Sequence, residues 1–459
     1  MRITAIVAAV ALPAGMTGCG AHHRSTATRT PPSAKLTGVH PCPGQPDFAC
    51  STLRMPLDHA GQAGGTLRLA IGVSTATAAP RGVLLFLTGG PGQPGVPFLT
   101  FVQVRLRAAL AGYRLVMFDQ RGTGAGALGC PGLQRAAGAS DLTVVPTAVV
   151  AGCARSIGSG RRYYSTAETV ADIEALRVAL GAGRLTLDGV SYGTYVAERY
   201  ALRYPTRVAR VVLDSVVPQA GVDPLYRAAL SSSARVLRSV CAAQRCRWDP
   251  AADISAVIKR FRDGPALLDA LVADSVAAPS YPGVLDALHA ASAGRPGALD
   301  AFLAAVRRGE ATPARLLSQG SHESTLCLEL AQPWDPDEPR AQRAATIARL
   351  AASTPETGVY PFDRATATGN GLAQGCLAWP PTQPPAVPDG APASDLPPVP
   401  ILLLSGERDL STPLAWARAE AAMAPKGQLF EVPGAGHSVQ LEARDPAVRR
   451  MLARFLRGA

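Results

Sequence analysis

Short runs of consecutive apolar residues punctuate this chain, and between them apolar positions recur at helical spacing. Val83–Leu87 is apolar throughout, the pattern of a strand covered on both faces. Similar runs at 67–73, 114–118, 185–187, 208–213, 399–404 and 429–432 complete seven predicted strands. Helix-compatible segments separate them; one, 194–204, stops at Pro205. Strand and helix alternating in this way predict an α/β fold, a mostly parallel sheet with helices on both faces. The alternation breaks from 216 to 395, where Ala, Leu and Arg recur at helical spacing over far more chain than a crossover needs. That stretch reads as a large helical lid inserted between core segments 42–215 and 396–459. The Pro-rich run 379–400 is its extended return linker. No repeat of fixed period is present.

The most telling stretch is Leu185-Thr186-Leu187-Asp188-Gly189-Val190-Ser191-Tyr192-Gly193, a strand running into G-x-S-x-G and then a helix. This is the nucleophile elbow, a sharp turn that lifts a serine hydroxyl out of the sheet, and it makes Ser191 the nucleophile. A serine needs a base and an acid, which follow it in the order Ser, Asp or Glu, His on this kind of elbow. Three histidines lie beyond Ser191. His289 falls in a helical pattern and His322 in a polar loop without a preceding strand. His437 ends the strand and Gly-rich loop of Val432-Pro433-Gly434-Ala435-Gly436-His437, the placement expected of the base. Asp214 and Asp409 both follow strands; Asp409 is preferred because its strand immediately precedes that of His437. Asp214 remains the alternative, as a turn residue or second acid.

An oxyanion needs N–H donors. Thr88-Gly89-Gly90-Pro91-Gly92 follows the Val83–Leu87 strand and offers Gly90 first and Gly89 next, alongside the N–H of Tyr192. A phosphate cradle would require G-x-G-x-x-G or a following Lys-Ser/Thr, and neither is there.

Composition narrows the alternatives. With 47% hydrophobic residues among 459, a sizeable core is available. The net charge of +11 comes from arginines scattered singly or in pairs, which argues against a nucleic-acid-binding face. Met1-Arg2, the apolar stretch 3–14 and Met16-Thr17-Gly18-Cys19 read as a signal peptide over 1–18 with a lipobox-like end, Cys19 being the lipidated residue. The apolar stretch is too short to span a bilayer. Residues 19–41 then form a disordered tether, placing the protein at the cell envelope, with full secretion the alternative. Eight other cysteines form an even set suited to an exported chain. Proximity in sequence pairs Cys42 with Cys50, Cys130 with Cys153 and Cys241 with Cys246, leaving Cys327 for Cys376. No C-x-x-C is present, so neither a metal nor another cofactor is expected.

Gly89-Gly90-Pro91-Gly92, Phe118-Asp119-Gln120-Arg121-Gly122-Thr123-Gly124 and Gly189-Val190-Ser191-Tyr192-Gly193-Thr194 together resemble the tripeptidyl and prolyl aminopeptidase branch of the alpha/beta-hydrolases. The Asp409 loop with Thr412-Pro413, the Gly436-His437 loop and Cys376-Leu377-Ala378-Trp379-Pro380 extend the resemblance across 41–456. Thr88 departs from it, standing where prolyl aminopeptidases carry His. The resemblance implies a serine aminopeptidase acting on peptides with a free N-terminus. It also implies acidic lid residues that read the amine, for which Glu329 and then Glu323 are the candidates. An esterase or lipase of the same fold, or an inactive binding module, are the other readings.

Overall fold

The structure, a computed structural model, describes residues 34–76, 78–387, 395–442 and 445–458. The predicted signal peptide, Cys19 and the first part of the tether lie outside the described residues. Nine strands form one sheet: β1 (Leu36–Cys42), β2 (Gln45–Pro56), β3 (Thr66–Ser74), β4 (Val83–Leu87), β5 (Arg114–Phe118), β6 (Leu185–Val190), β7 (Val208–Asp214), β8 (Ile401–Gly406) and β9 (Gly427–Val432). Their order is β1-β2-β3-β5-β4-β6-β7-β8-β9. Pairing is antiparallel from β1 to β5 and parallel from β5 to β9. β4, β6 and β8 are buried at every position, which is why they are apolar runs rather than alternating ones. Along β4, Val83, Leu85 and Leu87 pack with Tyr192, Val196 and Tyr200 on one face. Leu84 and Phe86 pack with Leu99 and Leu452 on the other.

The structure differs from the expectation in its first two strands, β1 and β2, neither of which is predicted from the sequence, and in its helical layer. The tether predicted over 19–41 ends early, because residues 36–42 are strand β1, paired with β2 and closed by the Cys42–Cys50 disulfide. β1 is an exposed edge interrupted by Gly38 and Pro41, so it lacks the apolar signature of a strand. Between β7 and β8 lie nine α-helices among the described residues, from Arg227–Gln244 to Gly371–Ala378. Their core includes Leu237, Leu268, Leu288 and Trp379, but also Leu133, Val150 and Cys153. Those three belong to the helices Pro131–Ala137 and Thr147–Ile157, which precede β6. The helical layer over the sheet is therefore built from two chain segments, not from the insertion alone. Disulfides join Cys130–Cys153, Cys241–Cys246 and Cys327–Cys376 within that layer.

Candidate active site

β6 ends at Val190, and Ser191 turns into the helix Tyr192–Arg203 with φ 57° and ψ −129°. A left-handed φ is costly for a residue with a Cβ, and it is held here by the bond from Ser191 N–H to the Asp214 carbonyl, 2.9 Å. The elbow closes only because Gly193 lacks a side chain: a Cβ there would sit 2.2 Å from the Leu87 carbonyl oxygen.

His437 follows β9 and Asp409 follows β8, so parallel neighbours bring an imidazole and a carboxylate to the same carboxyl edge of the sheet as Ser191. Asp409 Oδ2 lies 2.9 Å from His437 Nδ1, with the acid fully buried and the base 8% exposed. The carboxylate is saturated: Oδ1 accepts from the N–H groups of Ser411 and Thr412, and Oδ2 from Thr412 Oγ1. Burial pulls the His437 imidazole down, but Asp409, with Asp214 and Asp141 further off, outweighs it and holds the pKa above the usual histidine value. The helical layer also braces this pair. Ser275, on the helix Gly264–Ala277, accepts His437 N–H at its carbonyl and Leu410 N–H at its hydroxyl, each at 3.2 Å.

Asp214, the alternative acid, does not contact the imidazole in this way. Its carboxylate accepts from the Val439 and Gln440 N–H groups and from Ser215 Oγ, fixing the turn just after His437. Burial raises it to about 6.

The oxyanion donors divide. Gly89 N–H is taken by Gln93 Oε1 at 3.2 Å, so Gly89 is not an available donor; its role is spatial, since a Cβ would meet Ser191 Cβ at 3.0 Å. Gly90 N–H makes no protein hydrogen bond among the described residues, and that of Tyr192 opens a helix and has no intrahelical partner. Thr88, the departure from the family pattern, bonds through Oγ1 to the Gln93 carbonyl and so braces this loop.

Ser191, His437, Gly89 and Gly90 line one cavity of about 370 Å³, whose wall also carries the apolar Phe98, Phe101 and Leu441 and the polar Gln93 and Glu442. No hydrogen bond joins Ser191 Oγ to His437 among the described residues; such bonds commonly tighten only around substrate. A smaller space of about 50 Å³ adjoins Ser191, Gly90 and Tyr192 on the other side. It shares Asp141, Tyr226 and Ser411 with a third cavity of about 590 Å³ under the helical layer.

Neither acidic residue expected to read an amine lines these cavities. Glu329 is tied to Thr166 N–H and Oγ1 at the start of the helix Thr166–Ala179, anchoring the insertion to the core. Glu323 lies beside the Cys327–Cys376 disulfide over Gly375, with burial raising its carboxyl to about 7. Both were placed by nearness to Cys327 in sequence, and both sit on the helix Gln319–Glu329, whose packing turns them away. His322, read as a loop residue, is on that helix too and only 2% exposed.

A serine on an elbow, an imidazole held by a buried carboxylate and free N–H donors on one cavity define a serine hydrolase of the alpha/beta-hydrolase fold. Family comparison agrees: residues 82–237 match the alpha/beta hydrolase fold and residues 360–459 the TAP-like proteins. Together the two matches support a TAP-like alpha/beta-hydrolase. The tripeptidyl aminopeptidase of Streptomyces coelicolor is 31% identical over 188 residues, 37% of this chain and 35% of that relative. Serine protease Hip1 of Mycobacterium tuberculosis is 28% identical over 193 residues, 38% and 37% of the two chains. The chain thus matches about a third of the length of these relatives. Among solved structures, the proline iminopeptidase of Mycobacterium smegmatis aligns over 89% of this chain and 98% of its own, at 16% identity and a TM-score of 0.39.

Proposed function

We propose that this protein is a serine aminopeptidase releasing short N-terminal fragments from peptides with a free amine. Ser191 attacks the scissile carbonyl while His437 takes its proton, and Asp409 holds the imidazole with its other nitrogen toward the serine. The N–H groups of Gly90 and Tyr192 stabilise the tetrahedral oxyanion. His437 then protonates the leaving amine, and water hydrolyses the acyl-enzyme by the same steps in reverse. The observation that carries this reading is the Asp409–His437 pair beside Ser191 on one cavity wall. The peptide substrate is supported by the relatives, a tripeptidyl aminopeptidase and a serine protease.

Export fits the same reading. Four disulfides suit an oxidising compartment, and the N-terminal sequence supplies a signal peptide with Cys19 as the lipid-bearing residue. No helix among the described residues is long and apolar enough to cross a membrane. The test is a panel of aminoacyl-, dipeptidyl- and tripeptidyl-coumarin amides, each with a free and an acetylated N-terminus, beside small neutral esters. Cleavage restricted to free-amine peptides supports the reading; efficient cleavage of acetylated ones, or of esters alone, contradicts it.

A further inference from the structure

An exopeptidase must recognise the free ammonium, and with Glu329 and Glu323 both turned to structural contacts another group has to do so. We propose that the Asp141 carboxylate receives the substrate's N-terminal ammonium and that His322 holds it in position; this rests on the aminopeptidase reading. Asp141 lies between the helices Pro131–Ala137 and Thr147–Ile157, outside the insertion. It lines both the small space beside Ser191 and the large cavity beyond, so a chain passing from one to the other runs past its carboxylate. Its side chain is 43% exposed. That accessible carboxylate is part of the wall of both spaces. Burial raises its pKa, and His322 and His437 pull it the other way, which places the carboxylate within reach of the charge on the catalytic base.

Hydrogen-bond chemistry fixes its orientation. His322 Nδ1 lies 2.9 Å from the Pro91 carbonyl, which can only accept, so the proton is on Nδ1. Nε2 lies 3.3 Å from Asp141 Oδ1, and it donates to that carboxylate when the ring carries its second proton, as imidazolium. The ring thus bridges Asp141 to the loop that carries Gly90, and its burial leaves it no room to swing. The other carboxyls of the large cavity are less suited. Asp269 is occupied by the hydroxyls of Ser140 and Thr143. Glu310 and Asp274 line the large cavity but not the space beside Ser191, whereas Asp141 lines both. An ammonium arriving at Asp141 replaces lost hydration with a charge-assisted bond. It also orients the peptide: the acyl part lies on the Asp141 side of Ser191 and the leaving group in the cavity lined by Phe98 and Phe101.

The experiment compares wild type, Asp141→Asn and Asp141→Glu on a free-amine peptidyl-coumarin, its acetylated twin and a neutral ester, with active enzyme counted by a fluorophosphonate probe. Asp141→Asn should lose about 10- to 150-fold in kcat/KM on the free-amine peptide, mainly through KM, as expected for one hydrogen bond to a charged group. The loss on the ester should be at least about tenfold smaller, and Asp141→Glu should recover most of the preference for the free amine. Equal losses on all three substrates, or no loss on the free-amine peptide, would overturn the proposal while leaving the aminopeptidase reading intact. A wild type that does not distinguish free from acetylated peptides removes that reading and the proposal with it. If Asp141→Asn does not fold, as shown by absent probe labelling, His322→Gln carries the test. It should weaken free-amine substrates more than the ester, and equal weakening of both overturns the proposal.

Discussion

Replacing Asp409 by asparagine isolates the contribution of the acid. The side chain keeps its shape, and the two backbone donors, Ser411 N–H at 2.8 Å and Thr412 N–H at 2.9 Å, demand an oxygen at the Oδ1 position. The new amide NH2 must then occupy the Oδ2 position, 2.9 Å from His437 Nδ1, and donate to it. The imidazole is driven to the tautomer with its proton on Nε2, where it cannot accept from Ser191. In serine hydrolases of this design the wrong tautomer costs about 10⁴ in kcat, roughly 5 kcal/mol of transition-state stabilisation. Loss of the anion has a second consequence. His437 is held above its usual pKa chiefly by Asp409 against burial, so the wild-type kcat/KM should rise with pH through a value above the ordinary histidine range. In Asp409→Asn that acid limb should move to lower pH even as the plateau falls. The assay is kcat/KM against pH on a peptidyl-coumarin, with thermal melting to confirm folding. A loss smaller than tenfold, or an acid limb that stays put, would refute the assignment of Asp409; a full loss in Asp214→Asn instead would transfer the role.

Three other outcomes follow from the packing. Asp188 is fully buried, and burial raises it to about 8, so the folded state binds a proton that the unfolded chain releases near its ordinary pKa. Its contribution is complete below about pH 4 and is lost as pH rises through 8, so in urea unfolding Asp188→Asn should flatten the fall in stability over that window by about 1.4 kcal/mol per pH unit; an unchanged slope would contradict a neutral Asp188. Gly89→Ala puts a methyl against Ser191 Cβ and should abolish turnover with little change in melting temperature, whereas normal turnover would show that the loop can shift. Denatured without reductant, the chain should expose at most the thiol of Cys19 to a maleimide, and two or more reactive thiols would contradict the four bridges.

What could be read from sequence follows the physics of each element. Fully buried strands such as β4 and β6 are continuous apolar runs, and residues at the carboxyl ends of strands inherit that clarity; hence the placement of Ser191, Asp409 and His437 at one edge of the sheet was legible. β1 and β2 were not, because an edge carrying Gly38 and Pro41, and a strand flanked by Pro46 and Pro56, resemble loops. The joining of 131–157 to the insertion's core depends on contacts between segments distant in sequence, which no local pattern carries. Gly89 failed as a donor through a side chain four residues away, Gln93. Glu329 and Glu323 failed because charge and proximity to a cysteine say nothing about which way a helix faces. Asp141 has no motif around it, and its place between two cavities emerges only in three dimensions.

All of the proposed chemistry starts from Ser191 as the activated nucleophile. Peptide mapping by mass spectrometry after reaction of the intact protein with a fluorophosphonate tests it most directly. One adduct per chain, on the peptide containing Ser191 and absent from His437→Ala, is the result predicted. No adduct, or an adduct on another serine in a protein that still turns over peptide, would contradict it.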